Sequence, residues 1–282
     1  MASPARALAG AALAAAALTA CAAGPPASAG AAVEPSAAAA IEKPPTSGVL
    51  DYQLGAAYTP PAGVTLVTRD SSASPASVYS ICYVNGFQTQ PGEKSLWLNQ
   101  RRHLLLEDSS GNPVVDPGWP DEFLLDTSTP AKRTELASII GATIDLCANK
   151  GFKAVEVDNL DSYLRSRGKL TVGDNLAYAK LLADRAHGRN LAIGQKNSAE
   201  QAAQAKSQVG FDFAVSEECH RWEECSSYSD VYGKNVMDVE YTDDLRGTFE
   251  DVCEDPDTPA VTTLRDRFLV GPNDPGYAFD HC

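Results

Sequence analysis

The stretch Ala154-Val155-Glu156-Val157-Asp158-Asn159 decides the fold. Its β-branched run predicts a strand, whose side chains alternate between two faces. Val155 and Val157 take one face, suited to packing helices. Glu156 and Asp158 take the other, which in a barrel is the axis, with Asp158 nearer the mouth. Helical patterns flank the strand. Residues 130–149 have Pro130 in the first turn, apolar Leu136, Ile139, Ile140 and Ile144, and Gly151 just past the end. A second helix starts at Thr171, where Thr171 and Asp174 form a capping box. It turns Leu176, Ala179, Leu182 and Ala183 inward and ends at Gly188. Ser198 caps an Ala/Gln-rich helix to about residue 208. Further strands are expected at residues 64–67, 78–84, 123–125, 191–193, 211–215 and 236–239. Residues 104–106 read as a strand or a short insertion. Strands alternating with helices predict a parallel sheet. No glycine-rich phosphate loop follows any strand, which favours a barrel over a doubly wound nucleotide binder.

Composition narrows the function classes. The chain has 282 residues, 37 Asp+Glu against 23 Lys+Arg, a net charge of -14 and 44% hydrophobic residues. A disordered acidic chain is far less apolar. A protein that neutralises phosphates carries a basic excess, so nucleic acid is not an expected partner. Residues 1–20 carry one charge, Arg6, and a short Ala/Leu-rich run, which reads as a secretory signal and not as a membrane span. The run ends in Leu18-Thr19-Ala20-Cys21, similar to a bacterial lipobox, with Cys21 as the lipid anchor. Cleavage further on, after Ala27-Ser28-Ala29, would secrete the chain instead. Residues 21–48, rich in Ala, Pro, Gly and Ser, read as a flexible tether, and residues 49–282 as one barrel domain. The expected location is the outer face of a cell membrane, reached through the anchor alone. Without Cys21 six cysteines remain, an even set suited to an oxidising compartment.

The predicted strand ends share acidic or polar residues: Asp126, Asp158-Asn159, Lys196-Asn197, Glu217-Glu218 and Glu240-Tyr241. Barrel active sites form at strand C-terminal ends. Carboxylates converging there shift one another's pKa, and glycoside hydrolysis needs two carboxyl groups in different protonation states. Asp126, Glu156 and Glu240 are reserve candidates, able to bind a substrate ammonium or to tune a catalytic pair. Tyr83, Trp119, Tyr163, Trp222 and Tyr241 are candidates for stacking on sugars or for core packing. Lys196 and Asn197 are placed to bind hydroxyls or to orient a carboxylate. The four histidines show no metal-ligand spacing, and neither metal nor cofactor is expected.

Ordered motifs carry a resemblance. They are Ile81-Cys82-Tyr83-Val84-Asn85-Gly86, Gly118-Trp119-Pro120-Asp121-Glu122, Leu125-Asp126, residues 151–159, Asp161-Ser162-Tyr163, Ala186-His187 and Lys196-Asn197. Residues 211–219, Glu224-Cys225 and Glu240-Tyr241 complete the set. From about Asp51 to Tyr241 the chain resembles glycoside hydrolase family 114, the endo-α-1,4-polygalactosaminidase group. The resemblance implies a TIM barrel, an α/β fold of (β/α)8 type, and hydrolysis of galactosamine polymers. Its catalytic pair falls on Asp158, as nucleophile, and Glu217, as acid/base, if configuration is retained. Glu156-Val157, Gln195 and Asp121 depart from the family's usual residues. Export and the even cysteine set point to a Cys219–Cys225 disulfide after Glu217. The resemblance and the expected barrel layout imply Cys82–Cys147 and Cys253–Cys282. The expected partner is a polysaccharide, a cationic galactosamine polymer, acted on by a monomer. The alternatives are a catalytically silent barrel that binds cell-surface polysaccharide and an α-glycosidase acting on another glycan.

Overall fold

The structure, a computed structural model, describes residues 40–282. The expected signal segment, Cys21 and the tether up to residue 39 lie outside the described residues. Nine strands form one sheet in chain order: β1 (Val49–Gln53), β2 (Val64–Asp70), β3 (Tyr79–Asn85), β4 (Ala154–Asp158), β5 (Ala192–Lys196), β6 (Phe213–Glu217), β7 (Val236–Tyr241), β8 (Thr262–Arg265) and β9 (Phe279–His281). Strands β1 to β8 are parallel, each paired to the next, and β9 adds antiparallel to β8. The sheet curls until β8 stands beside β1. Among the described residues the backbone ladder does not join these two strands. Arg265, fully buried, spans the seam. Its Nη1 donates to the Tyr52 carbonyl and, at 3.0 Å, to Asp51 Oδ1, while Nε and Nη2 donate to the carbonyls of Ala278 and Val270. The result is a nearly closed barrel of the TIM type.

The helices are α1 (Lys94–Gln100), α2 (Pro130–Lys150), α3 (Ser162–Arg165), α4 (Val172–Gly188), α5 (Ala202–Gln204), α6 (Cys225–Tyr232) and α7 (Phe249–Glu254). In α4 the Thr171–Asp174 capping box forms in both directions, satisfying two orphan N–H groups. Helix α2 ends at Gly151, whose φ of 96° is the left-handed conformation that glycine adopts without penalty. Val155 and Val157 of β4 turn outward into one buried cluster that includes Leu136 and Ile144 of α2 and Leu182 of α4. Leu50, Leu66, Ile81, Ala154, Ala192, Phe213 and Met237 fill the axis instead. Gly194 is required there, because a Cβ on it would lie 2.3 Å from the Phe213 ring.

Several elements differ from the sequence reading. Residues 123–125 are not a barrel strand. They make isolated antiparallel bridges to Gln88, Leu105 and Val115 within the segment 86–129, which inserts between β3 and α2. Their apolar run is explained by burial in that insertion. Ser198 does not cap a helix; it adopts φ 63°, and residues 199–209 form short 3-10, α and π turns. The sequence reading assigns no positions to strands β1, β8 and β9 or to helices α1, α3, α6 and α7. Residues 41–44, within the stretch read as tether, dock on the barrel. Ile41 packs against the axial core, and the Glu42 carbonyl accepts the Tyr79 hydroxyl at 2.6 Å. The disulfides are Cys82–Cys147, tying β3 to α2, Cys219–Cys225, and Cys253–Cys282.

Candidate active site

Alternation along four strands brings the polar groups together. On β4, Ala154, Glu156 and Asp158 face the axis; on β6, Phe213, Val215 and Glu217 do; on β5, Lys196; on β7, Tyr241. The chain turns sharply just after each of the first three strands. Asn159 (φ 69°), Asn197 (φ 50°), Ser198 (φ 63°) and Glu218 (φ 62°) all adopt left-handed backbone. That conformation is uncommon outside glycine, and here it leaves the last strand side chains at the mouth.

Lys196 sits at the centre. It is 2% exposed. Its Nζ lies 3.1 Å from Glu217 Oε2, 3.5 Å from Asp158 Oδ2 and 3.8 Å from Glu156 Oε1, and 3.0 Å from the Tyr52 hydroxyl. Burial works against its charge, but the three carboxylates prevail and hold it well above the ordinary lysine value. Asp158 Oδ2 also accepts the Tyr83 hydroxyl at 2.8 Å, and Oδ1 accepts the Asn159 N–H at 2.8 Å. Glu217 accepts from the Tyr241 hydroxyl and, at 2.9 Å, from Asn197 Nδ2; its own N–H donates to Asn197 Oδ1 at 2.8 Å. Burial pushes the Glu217 carboxyl up, but Lys196 and these hydrogen bonds outweigh it and hold the group below its ordinary value.

Glu156 is fully buried beneath the pair. Its Oε1 accepts the Tyr52 hydroxyl, and among the described residues its Oε2 has no partner. Burial raises its carboxyl to about 7, against the pull of Lys196 and Tyr52. Asn159 is the hub of a second network: Nδ2 donates to Asn85 Oδ1 at 2.9 Å, and Oδ1 accepts Arg165 Nη2 at 3.0 Å.

Asp158, Asn159, Lys196, Glu217, Tyr83, Tyr241 and Trp119 line one cavity of about 430 Å³, with Asp70, Glu122 and Phe268. A second cavity of about 350 Å³ also borders Glu217 and carries Asn197, Glu200, Glu224 and Trp222. Trp119, Trp222 and Phe268 are all more than half exposed. Arg267 borders both cavities, its guanidinium 4.2 Å over the Tyr241 ring, and it pairs with Glu218 at 2.7 Å and Asp243 at 2.8 Å.

Two reserve candidates lie elsewhere. Asp126 pairs with Lys132 and borders a different, larger cavity of about 860 Å³ that holds neither Asp158 nor Glu217. Glu240 faces away from the axis, because the period of two gives that face to Tyr241. It is fully buried beside Asp238, accepts the His220 N–H at 2.9 Å, and lies under the Cys219–Cys225 loop. Burial pushes both carboxyls up, Asp238 furthest, with Glu240 adding to it. Tyr163 donates to Glu200 at 2.9 Å. Sequence reasoning missed Tyr52, Asp70, Glu122, Arg267 and Phe268 as cavity or network residues. Glu122 stood inside a quoted motif, but an insertion residue carries no strand-end signal.

The sequence pattern of Glycoside-hydrolase family GH114 matches residues 30–282. No curated protein sequence matches the chain. Among solved structures, Aspergillus fumigatus Ega3, in complex with galactosamine, superposes with TM-score 0.68 at 20% identity, covering 88% of this chain and 100% of that one. The glycoside hydrolase domain of PelA from Pseudomonas aeruginosa gives TM-score 0.51 at 11% identity, covering 78% and 95%. TtGalA, an α-galactosidase from Thermus thermophilus in complex with stachyose, gives 0.53 at 12%, covering 83% and 64%. At these identities the likeness is one of fold. The family match spans the whole barrel and both strand-end carboxylates, and the chain belongs to glycoside-hydrolase family GH114.

Proposed function

We propose that this chain is an exported endo-glycosidase that cleaves internal α-1,4-galactosaminide bonds in a cationic galactosamine polymer. The observation that carries the reading is the Asp158–Lys196–Glu217 group, which puts two carboxylates of one cleft around a single ammonium. The two cavities that meet at Glu217 support cleavage inside a chain, since a polymer needs room on both sides of the reacting bond. The galactosamine bound to Ega3 supports the sugar.

Asp158 is the nucleophile and Glu217 the acid/base. Glu217 gives its proton to the leaving oxygen while Asp158 Oδ attacks the anomeric carbon, forming a glycosyl ester. Glu217, now a carboxylate, takes a proton from water, whose oxygen displaces Asp158. Lys196 Nζ lies 3.5 Å from Asp158 Oδ2 and 3.1 Å from Glu217 Oε2, so these oxygens are at most 3.5 plus 3.1, or 6.6, Å apart. That bound supports retention, which uses roughly 5–5.5 Å, over most of the inverting range of about 6.5–9.5 Å. Tyr83 and Tyr241 orient the pair, and Trp119 and Trp222 offer stacking faces. Residues 1–20 act as the export signal, Cys21 as the lipid anchor and the chain up to about residue 40 as the tether, and the rest, with residues 41–44 docked on the barrel, forms the catalytic domain; the three disulfides support an oxidising destination.

Incubation of the purified protein with α-1,4-linked galactosamine polymer tests the reading. It predicts oligosaccharides of mixed length early in the reaction. Release only from a neutral α-glycan, or binding without release, would overturn it.

A further inference from the structure

We propose that Glu122 determines specificity in this cleft, by taking the 2-ammonium group of the galactosamine unit whose anomeric carbon faces Asp158. The inference rests on the substrate reading above. Glu122 comes from the insertion, yet it is tied to the barrel beside the nucleophile. Asn85 ends β3 and stands opposite Asp158 in the strand register. Its Nδ2 donates to Glu122 Oε2 at 2.8 Å. Its Oδ1 is already engaged by Asn159 Nδ2, which fixes the amide with its donor toward Glu122. The carboxyl is thereby held one strand away from Asp158, on the wall of the same cavity. In a 2-amino sugar the nitrogen sits on the carbon next to the reacting one, so a unit poised at Asp158 carries its ammonium into this neighbourhood.

Charge points the same way. Asp158 and Glu217 share Lys196, Glu218 has Arg267, and Asp116 and Asp161 have Arg165. Asp70, also on the cavity wall, closes its own turn by accepting the Ser72 N–H at 2.8 Å. Glu122 has a neutral amide as its partner and, among the described residues, no cation within 4 Å. Burial raises its carboxyl to about 7, the Asn85 hydrogen bond lowers it, and the negative Asp158 and Asp116 raise it, with Arg165 opposing them. An arriving ammonium relieves that penalty, whereas a neutral N-acetyl group cannot.

The test is steady-state kinetics of wild type and Glu122→Gln on a galactosamine hexamer and on its N-acetylated counterpart, from about pH 5.5 to 8. The readout is the ratio of kcat/KM for the amine over the N-acetyl substrate, in which any unfolded fraction of a variant cancels. The expected result is a ratio reduced roughly 10–100-fold in E122Q, the worth of a charge-assisted hydrogen bond. In wild type the KM for the amine rises as the pH falls below about 7 and Glu122 gains its proton, and E122Q loses that dependence. An unchanged ratio, or a pH dependence retained in E122Q, overturns the proposal. If wild type cleaves neither hexamer, the substrate reading fails, and calorimetric binding of the amine hexamer still decides Glu122. Weaker binding by E122Q supports the proposal, and equal binding overturns it.

Discussion

Lys196 sets the electrostatics of the cleft, because one buried ammonium serves three carboxylates. Removing one partner of a buried ion pair costs about 3–5 kcal/mol, since the others keep their desolvation penalty. Lys196→Met is therefore expected to lower stability by that order in denaturant unfolding. It also lets the Glu217 carboxyl rise. In the proposed mechanism the first chemical step needs Glu217 protonated, so the alkaline limb of kcat/KM is expected to lie low in wild type and to move to higher pH in the variant, at a reduced maximum. Glu156 makes the opposite linkage. The unfolded chain releases this proton near its ordinary 4.5, while the folded chain keeps it to about 7. The folded state thus binds more protons in that window, and this contribution to stability is present at low pH and lost as pH rises through it. Glu156→Gln removes it. The stability of wild type relative to E156Q should fall by roughly 3 kcal/mol between acid and neutral pH, read by urea titration.

At the scale of elements, the disulfides separate stability from positioning. Cys82–Cys147 closes 65 residues and Cys219–Cys225 closes 6. Chain-entropy arguments give about 4 kcal/mol for the first and about 2 for the second. The short loop begins two residues after Glu217, so Cys219→Ala with Cys225→Ala should cost more activity per kcal/mol lost than Cys82→Ala with Cys147→Ala. Tm and kcat measured on both double variants check this ordering. The same scale explains what was legible in the sequence. Alternation in β4 placed Glu156 and Asp158 on the axis correctly, because both faces of that strand are buried and the apolar face could be recognised by Val155 and Val157. Strand β7 is buried on both faces throughout, so alternation separates Asp238 and Glu240 from Met237, Val239 and Tyr241 without telling which face meets the axis. Residues 123–125 looked like a barrel strand because an apolar run buried in an insertion has the same composition. Strand β8 and the seam made by Arg265 stayed hidden, since four residues with one arginine carry no periodic signal.

Across the whole molecule, many carboxylates are paired with a cation: Arg165 with Asp161, Arg185 with Asp145, Arg267 with Asp243, and Lys132 with Asp126. Glu122, Glu200 and Glu224 line the two cavities and, among the described residues, have no such partner. These uncompensated carboxylates give the cleft a negative field that suits the proposed polycation. Added salt should raise KM for a galactosamine polymer, because the screening length falls to roughly 8–10 Å near physiological ionic strength, and should leave an N-acetylated polymer little affected. A salt-independent KM for the amine polymer would confine recognition to contacts inside the cavities.

The central claim is that Asp158 and Glu217 perform hydrolysis of a galactosamine polymer. Its most direct test is the rate of reducing-end release from that polymer by wild type, Asp158→Asn and Glu217→Gln, each first shown to bind the polymer. The account predicts a loss of at least roughly 10²-fold in each variant, the lower end of what a positioned acid or base contributes. Release undiminished in either variant would contradict it.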